Sequence, residues 1–396
     1  MKARYSLIAF AMSLPILGVL FFQFKPSTVL QPQLADDMQV DNITPLDEID
    51  FTYPNNWGSP ELTHSSFKMQ SGDRPCAVEG DDFTYLSPLP TISKYAGDTS
   101  IVMINESHSK SVHRVFIRDV IKALTKTGYN HYGSELFGKD TTAWLNSEGG
   151  LKGTGYLSTQ KTGSSYWEDP GFGQVAEDLA KIDISFFSIE GDNVNIPPNV
   201  KSSIGYREKL QAENIARYAE STRNDKIIVH TGYHHIKEYD DSPYGPRMAE
   251  RFKEMTDIDP LTISQTDCYG TEYFQDGHMG YAILADSNGV PISRNGYDLI
   301  LVSGKEDYYK ERPTWLRDNM GRKFVPIPED LIPSDTKEFF KITARERSRP
   351  ASAPLEDIIY RVPYSDKVLA LRSGNYEISV IDRNKDVVAA TTIHVK

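Results

Sequence analysis

The densest reactive chemistry in the chain is the stretch INESHSKSVHR, Ile104 to Arg114, directly after the apolar run Ile101-Val102-Met103. Within it Asn105, Glu106, Ser107, His108, Ser109, His113 and Arg114 can donate, accept or ionise. A second such stretch, HTGYHH, runs from His230 to His235 behind the apolar KIIV. Four of the nine histidines, His108, His230, His234 and His235, fall in these two places, which argues for one shared site. An imidazole oriented by a carboxylate is a general base that can take a proton from water. Arg114 can hold an anionic group or developing negative charge. The alternative chemistry is a divalent metal on Glu106, His108 and His235, which would acidify a bound water. Each residue also has an ordinary reading: a carboxylate at a helix start, a satisfied core histidine, an ion pair between helices.

Other catalytic signatures are missing. The sequence has no HExxH, no GxSxG nucleophile elbow, no P-loop and no GxGxxG fingerprint. Zincin, serine-hydrolase and nucleotide-binding chemistry are therefore disfavoured.

The elements that must position these residues alternate. Ser100 to Ile104 reads as a strand. SVHRVFIRDVIKALTKTG follows as an amphipathic helix, apolar at Val112, Val115, Phe116, Val120, Ile121 and Leu124, with Gly128 as its stop. Tyr129 to Leu136, DISFFSIEGD, KIIVHTG, LTISQTD, Tyr281 to Ala285 and Leu299 to Val302 read as further strands. FGQVAEDLAKI, YREKLQAENIARYAESTR and PYGPRMAERFKEMT read as helices between them. Such alternation implies βαβ crossovers, so the expected fold class is α/β, a mainly parallel sheet flanked by helices. From Val368 to Val395 the pattern switches to alternating apolar and polar residues with turn formers, a small C-terminal antiparallel β unit. In a parallel sheet ligands bind beyond the carboxyl ends of the strands. Glu106 and His108, then Glu135, then Glu190, then His230, His234 and His235 all follow predicted strands. The Gly- and Ser-rich interval from Phe137 to Gly173 is long enough to cover a site, with Tyr156, Tyr166 and Trp167 as candidate lid residues.

The flanks bound the setting. Lys2 and Arg4 precede Leu7 to Phe24, an apolar run of membrane-spanning length, so an exported and anchored protein is expected, with a cleaved signal as the alternative. The expected organisation is a signal anchor or signal peptide over 1–24, a Pro-, Asp- and Ser-rich linker and lead-in over 25–97, the α/β domain over 98–330 and the β unit over 331–396. A formal net charge of -12 with no long basic run argues against nucleic-acid partners. Cys76 and Cys268 can pair outside the cytoplasm or stand as two buried thiols.

The order of motifs resembles the superfamily of erythromycin-esterase-like, ChaN-like and TraB/Tiki proteins. Its members open with a strand ending in GE-x-H or GE-x-x-H, then a helix, then a strand ending in Glu. INESHSKSVHRVFIRDVIKALTKTGYNHYGSEL is similar to that motif, REKLQAENIARYAE to the family's Arg-bearing helix, and KIIVHTGYHHI to its late histidine strand. The resemblance spans about residues 100 to 265. It implies Glu106 and His108 as the first acid and imidazole, and Glu135 as the second acid. It implies Arg207 as the helix arginine, His235 as the late histidine, and His113 and Arg114 as the start of the next helix. The esterase branch activates water on an ester, the Tiki branch cuts peptides with a metal, and the ChaN-like branch binds haem. Two departures stand out: Asn105 replaces the usual Gly, and the Glu-x-His spacing follows the ChaN-like branch.

The reading drawn from these residues is an exported hydrolase of an ester or amide in a small molecule or peptide. Glu106, His108, Glu135 and His235 are the catalytic candidates. His113, Arg114, Glu190, Arg207, His230 and His234 are the substrate-binding ones. A divalent metal is the candidate cofactor, ahead of haem. A haem- or metal-binding protein and a non-catalytic envelope scaffold are the rivals.

Overall fold

The computed structural model describes residues 83–396 apart from 109, 139–140, 159–169, 192–196, 198–199, 201, 223–224, 240–242, 269–279, 305, 333–339, 362–365 and 383. The N-terminal apolar run, Cys76, Tyr166 and Trp167 lie outside the described residues. Among the described residues no helix is long and apolar enough to cross a membrane.

The main sheet is built from strands that are apolar enough to be covered on both faces. Its strands are β1 (Phe83–Leu86), β2 (Ile101–Glu106), β3 (Tyr129–Ser134), β4 (Ser185–Ser188), β5 (Lys226–Gly232), β6 (Leu261–Ser264), β7 (Tyr281–Asp286) and β8 (Leu299–Ser303). They lie in the order β1-β7-β8-β6-β2-β5-β3-β4. The six from β8 to β4 run parallel, and β7 and β1 add an antiparallel margin. The sheet therefore begins upstream of residue 98, and α1 (Pro88–Tyr95) precedes β2 within the stretch expected as lead-in.

Strand alternation sorts two cores. Val102, Ile104, Tyr132 and Ile228 face α2 (Ser111–Leu124) and α5 (Pro170–Ala180). Met103, Phe187, Ile227 and Val229 face α6 (Ser203–Thr222) and α7 (Met248–Thr256). The short helices α3 (Thr142–Leu145) and α4 (Leu151–Thr154) lie in the Gly-rich interval. Gly128, in the left-handed region at φ 92°, ends the turn that follows α2, as the helix pattern requires. Cys268 is buried and disulfide-bonded.

Beyond β8 come the two-residue strands β9 (Tyr308–Tyr309) and β10 (Arg312–Pro313), helix α8 (Trp315–Asp318) and β11 (Lys323–Val325). Then follow β12 (Phe340–Glu346), β13 (Asp357–Arg361), β14 (Leu369–Leu371), β15 (Gly374–Ile381) and β16 (Val387–Val395). β13-β12-β15-β16 form an antiparallel sheet, and β11 pairs with β14. Ile327 and Leu331 join its core, so this unit draws on residues before 331.

An arginine–carboxylate network ties the β unit to α5. Arg349 and Arg372 both hold Glu177 on α5, with Arg372 Nη1 2.9 Å from Oε2. Arg372 Nε also reaches Glu356 Oε1 at 2.7 Å. Arg322 bonds Gln174 of α5 and the carbonyls of Glu356 and Ala370. Asp357 accepts from Arg312 through both oxygens, at 2.8 and 3.0 Å.

Candidate active site

Parallel register brings the strand ends together. Glu106 pairs with Gly232, while Ser134 pairs with both His230 and Ser188. Even-numbered residues of β2 and β5 face α2, so Glu106 and His230 point to that side. Arg114 waits there on the first turns of α2. Its Nε donates to Glu106 Oε2 at 2.8 Å and its Nη2 to Oε1 at 3.0 Å. Phe172 of α5 lies under the guanidinium at 5.4 Å. His230 Nε2 lies 2.9 Å from Glu106 Oε2, bent away from hydrogen-bond geometry, and its Nδ1 meets the Tyr132 hydroxyl at 2.7 Å.

Glu135, just past β3, serves the α6 side. Its Oε1 accepts from the backbone N–H of Gly232 at 2.6 Å, and its Oε2 from Arg207 Nη2 at 3.1 Å. Arg207 also grips Glu190 through two nitrogens, and Gln211 Nε2 reaches the same Glu190 at 2.8 Å.

The two sides meet over Gly232. His108 Nδ1 is bonded to Glu106 Oε1 at 2.9 Å, and its Nε2 stands 3.2 Å from Glu135 Oε1. His235 Nε2 stands 3.4 Å from Glu135 Oε2, and its Nδ1 lies 3.0 Å from Glu208 Oε2. The result is an unbroken alternation, Glu106–His108–Glu135–His235–Glu208, with Arg114 on Glu106 at one end, Arg207 on the central Glu135 and Arg247 on Glu208 at the other end. Gly232 makes the crossing possible. A Cβ there would sit 2.3 Å from His108 Cε1 and Nε2 and 2.7 Å from Glu135 Oε1.

Electrostatics keep the acids ionised. Burial opposes charge on Glu106 most strongly, yet Arg114, His230 and His108 outweigh it and hold its carboxyl well below the usual range. Glu135 and Glu208 follow the same pattern: burial raises them, and imidazole and arginine partners bring them below the ordinary value. Burial would push His235 down, but Glu208 and Glu135 beside it outweigh that and lift its pKa above the ordinary value, against the opposing pull of Arg207, whose Nη1 lies 3.2 Å from His235 Nε2.

Exposure separates the candidates into two layers. His108 (22%), His235 (15%) and Arg207 (34%) reach solvent. Glu106, Arg114, His113 and His230 are buried beneath them. Arg114 bonds Glu106, and His230 lies against it. His113 accepts from the backbone N–H of Ser107 at 3.0 Å, and burial first, then Lys110, pushes its pKa down to about 3. It braces the loop as a neutral ring. His234 is half-buried in the turn after β5, and the contacts of Glu106, Glu135 and Glu208 are made by His108, His230 and His235 instead. Tyr156 is half-buried.

Asn105 has a role of its own. Its amide donates to Tyr233 O at 2.6 Å and to Thr266 Oγ1 at 3.1 Å, and its Oδ1 accepts from Gln265 N at 2.7 Å. It staples the ends of β2, β5 and β6, where Tyr233 turns with φ 43°. Glu208, Arg247 and Tyr132 escaped the sequence reading, and Gly232 entered it only as part of a strand end. Glu208 had a signal, an acid on the helix face that also carries the small or apolar Gly205, Ala212 and Ile215 of α6.

The donor set does not suit a metal. Both oxygens of Glu106 face Arg114, and both nitrogens of His108 and of His235 face carboxylates. Among the described residues no three His, Cys, Asp or Glu side chains converge as ligands. A surface cavity of about 710 Å³ lies elsewhere, lined by Ser100, Ile101 and residues of α6 and α7, and contains none of this cluster.

No family model matches the sequence, and no curated protein does. Solved structures similar to the chain include the type III effector HopBA1, at 15% identity over 61% of this chain and 100% of that one, TM-score 0.37. ChaN of Campylobacter jejuni, described with cofacial haem binding, is 11% identical over 58% of this chain and 99% of that one, TM-score 0.34. The C-terminal region of Pasteurella multocida toxin, described with a thiol-protease-like triad, is 13% identical over 78% of this chain and 48% of that one, TM-score 0.33.

Proposed function

We propose that the chain is a hydrolase that activates water on an ester or amide bond of a small molecule or peptide. The observation that carries this reading is the alternation Glu106–His108–Glu135–His235–Glu208, with both imidazoles and Arg207 open to solvent. His108 is oriented through Nδ1 by Glu106 and takes a proton from water at Nε2. Glu135, beside that nitrogen, balances the imidazolium that forms. His235 in its protonated form gives a proton to the leaving atom. The proton that His108 took then passes to solvent, and His235 is reprotonated from solvent, since both rings reach it. Arg207 offers its guanidinium to the oxyanion. Arg114 and His230 keep Glu106 ionised and aimed. In the same proposal the activity lies outside the cytoplasm, a reading supported by the basic and then apolar N-terminal sequence.

The test is a panel of ester and amide substrates turned over by the wild-type chain and by His108→Ala and His235→Ala. Turnover lost in both variants supports the reading. Equal rates in all three proteins overturn it, and so does a haem band that His108→Ala removes in a protein without turnover.

A further inference from the structure

We infer that Tyr233 is a positioning residue for His108: a strained turn sets its phenol ring against the imidazole and keeps that imidazole between its two carboxylates. The inference rests on His108 as the base of the proposed reaction. Among the described residues, six that are not glycine have a positive φ. Asp257, Asn295, Lys310, Glu311 and Lys385 are exposed, whereas Tyr233, at φ 43°, is half-buried beside the site. A bulky side chain disfavours this left-handed region, and such outliers persist only where the surroundings hold them. Tyr233 N–H donates to Glu106 O at 2.7 Å, and Tyr233 O accepts from Asn105 Nδ2 at 2.6 Å. Its hydroxyl lies 3.3 Å from Ser107 Oγ. Ser107 is fixed in turn, its N–H donating to His113 Nδ1 at 3.0 Å and its carbonyl accepting from Lys110 N at 2.9 Å.

The turn alone does not call for a tyrosine. Glycine or asparagine would meet the same φ more easily. What the tyrosine adds is its ring, whose centroid stands 5.1 Å from that of His108, edge to face at 86°. Glu106 and Glu135 engage the two imidazole nitrogens, yet the His108 side chain is 22% exposed. The tyrosine ring restrains it from swinging toward solvent, and Ser107 restrains the tyrosine. Proton transfer depends steeply on such placement.

The experiment compares the full wild-type chain with Tyr233→Asn and Tyr233→Phe by kcat, KM, Tm and the downfield proton NMR signal of His108 Nδ1–H. That signal is identified by its loss in His108→Ala. Tyr233→Asn suits the left-handed backbone and removes the ring. It should keep or raise the Tm, lower kcat about 10- to 100-fold, leave KM within about twofold and lose the signal to exchange with water. Tyr233→Phe keeps the ring and loses only the tie to Ser107. It should keep the signal and a kcat within about threefold of wild type. A Tyr233→Asn variant with wild-type kcat and signal overturns the proposal. So does one whose losses come with a lowered Tm, or a Tyr233→Phe variant as impaired as Tyr233→Asn. A wild type that cleaves no ester or amide sinks the hydrolase reading instead. The His108 signal needs no substrate, and its survival in Tyr233→Asn, or its absence from the wild type, overturns the positioning role on its own.

Discussion

Two networks of carboxylates and arginines hold this molecule, and they differ in one residue type. The network between α5 and the β unit joins Glu177, Glu356 and Asp357 to Arg349, Arg372, Arg322 and Arg312. The network at the strand ends joins Glu106, Glu135, Glu190 and Glu208 to Arg114, Arg207 and Arg247, and threads His108, His230 and His235 between them. Arginine stays protonated at any working pH, so the first network is permanently charged and serves attachment. Imidazole changes charge near neutrality, so the second can accept and release protons. Buried ion pairs alone are weak evidence of function. Imidazoles inserted between carboxylates, with the rings of His108 and His235 reaching solvent, are stronger evidence.

The largest contrast is expected from Glu135→Gln. It should lower kcat/KM about 10²–10⁴-fold while the Tm moves little, because the acid between the two imidazoles is lost and the shape is kept. Asp357→Ala should do the reverse. It strands Arg312 in the interior and should cost about 3–5 kcal/mol in urea unfolding, with the specific activity of the folded fraction unchanged. An Asp357→Ala protein of normal stability would erase the distinction.

Gly232→Ala should remove about 10²-fold of activity, since the added methyl displaces His108 and Glu135 from each other. A fully active variant would mean that the crossing over β5 is not used. Arg207→Lys keeps the charge and loses the fork, and should cost about tenfold, mainly in kcat.

The smallest effect is in pH. His235 must be protonated to act as the acid, and its pKa is lifted, so the alkaline limb of the rate profile should lie above 6.5. The same shift contributes stability that is complete below 6.5 and is lost as pH rises through the folded value. Glu177 is depressed: burial opposes its charge, and Arg349 and Arg372 outweigh it. Its contribution is present above 4.5 and fades only as pH falls through the folded value. Activity should therefore fall as pH rises above 6.5, through the folded pKa of His235, while the attachment of the β unit does not change there.

Much of the site was legible because it follows strands. KIIVHTG coincides with β5, and Glu106, Glu135, Glu190 and His235 fall just where a parallel sheet collects its strand ends. Depth was not legible. Arg114 reads as a ligand-binding arginine on a helix start, and only packing against Phe172 and Glu106 makes it interior. Gly232 passed as a strand end, since its role depends on what crosses above it. β1 was hidden in a Pro- and Ser-rich stretch, because four residues of FTYL carry too little periodicity to stand out. β7 was expected as a strand, but its antiparallel sense is decided by neighbours and not by its own residues.

The attachment of α5 has a consequence in time. Glu177 meets Arg349 and Arg372, which lie 172 and 195 residues further along the chain. At about 5–20 residues per second of synthesis, its second partner leaves the ribosome ~10–40 s after Glu177 does. Until then the helix that carries Phe172, the support beneath Arg114, has an unmatched charge on the face destined for burial. The strand ends can gather early, but the platform under Arg114 and Glu106 is completed only when nearly the whole chain has been made.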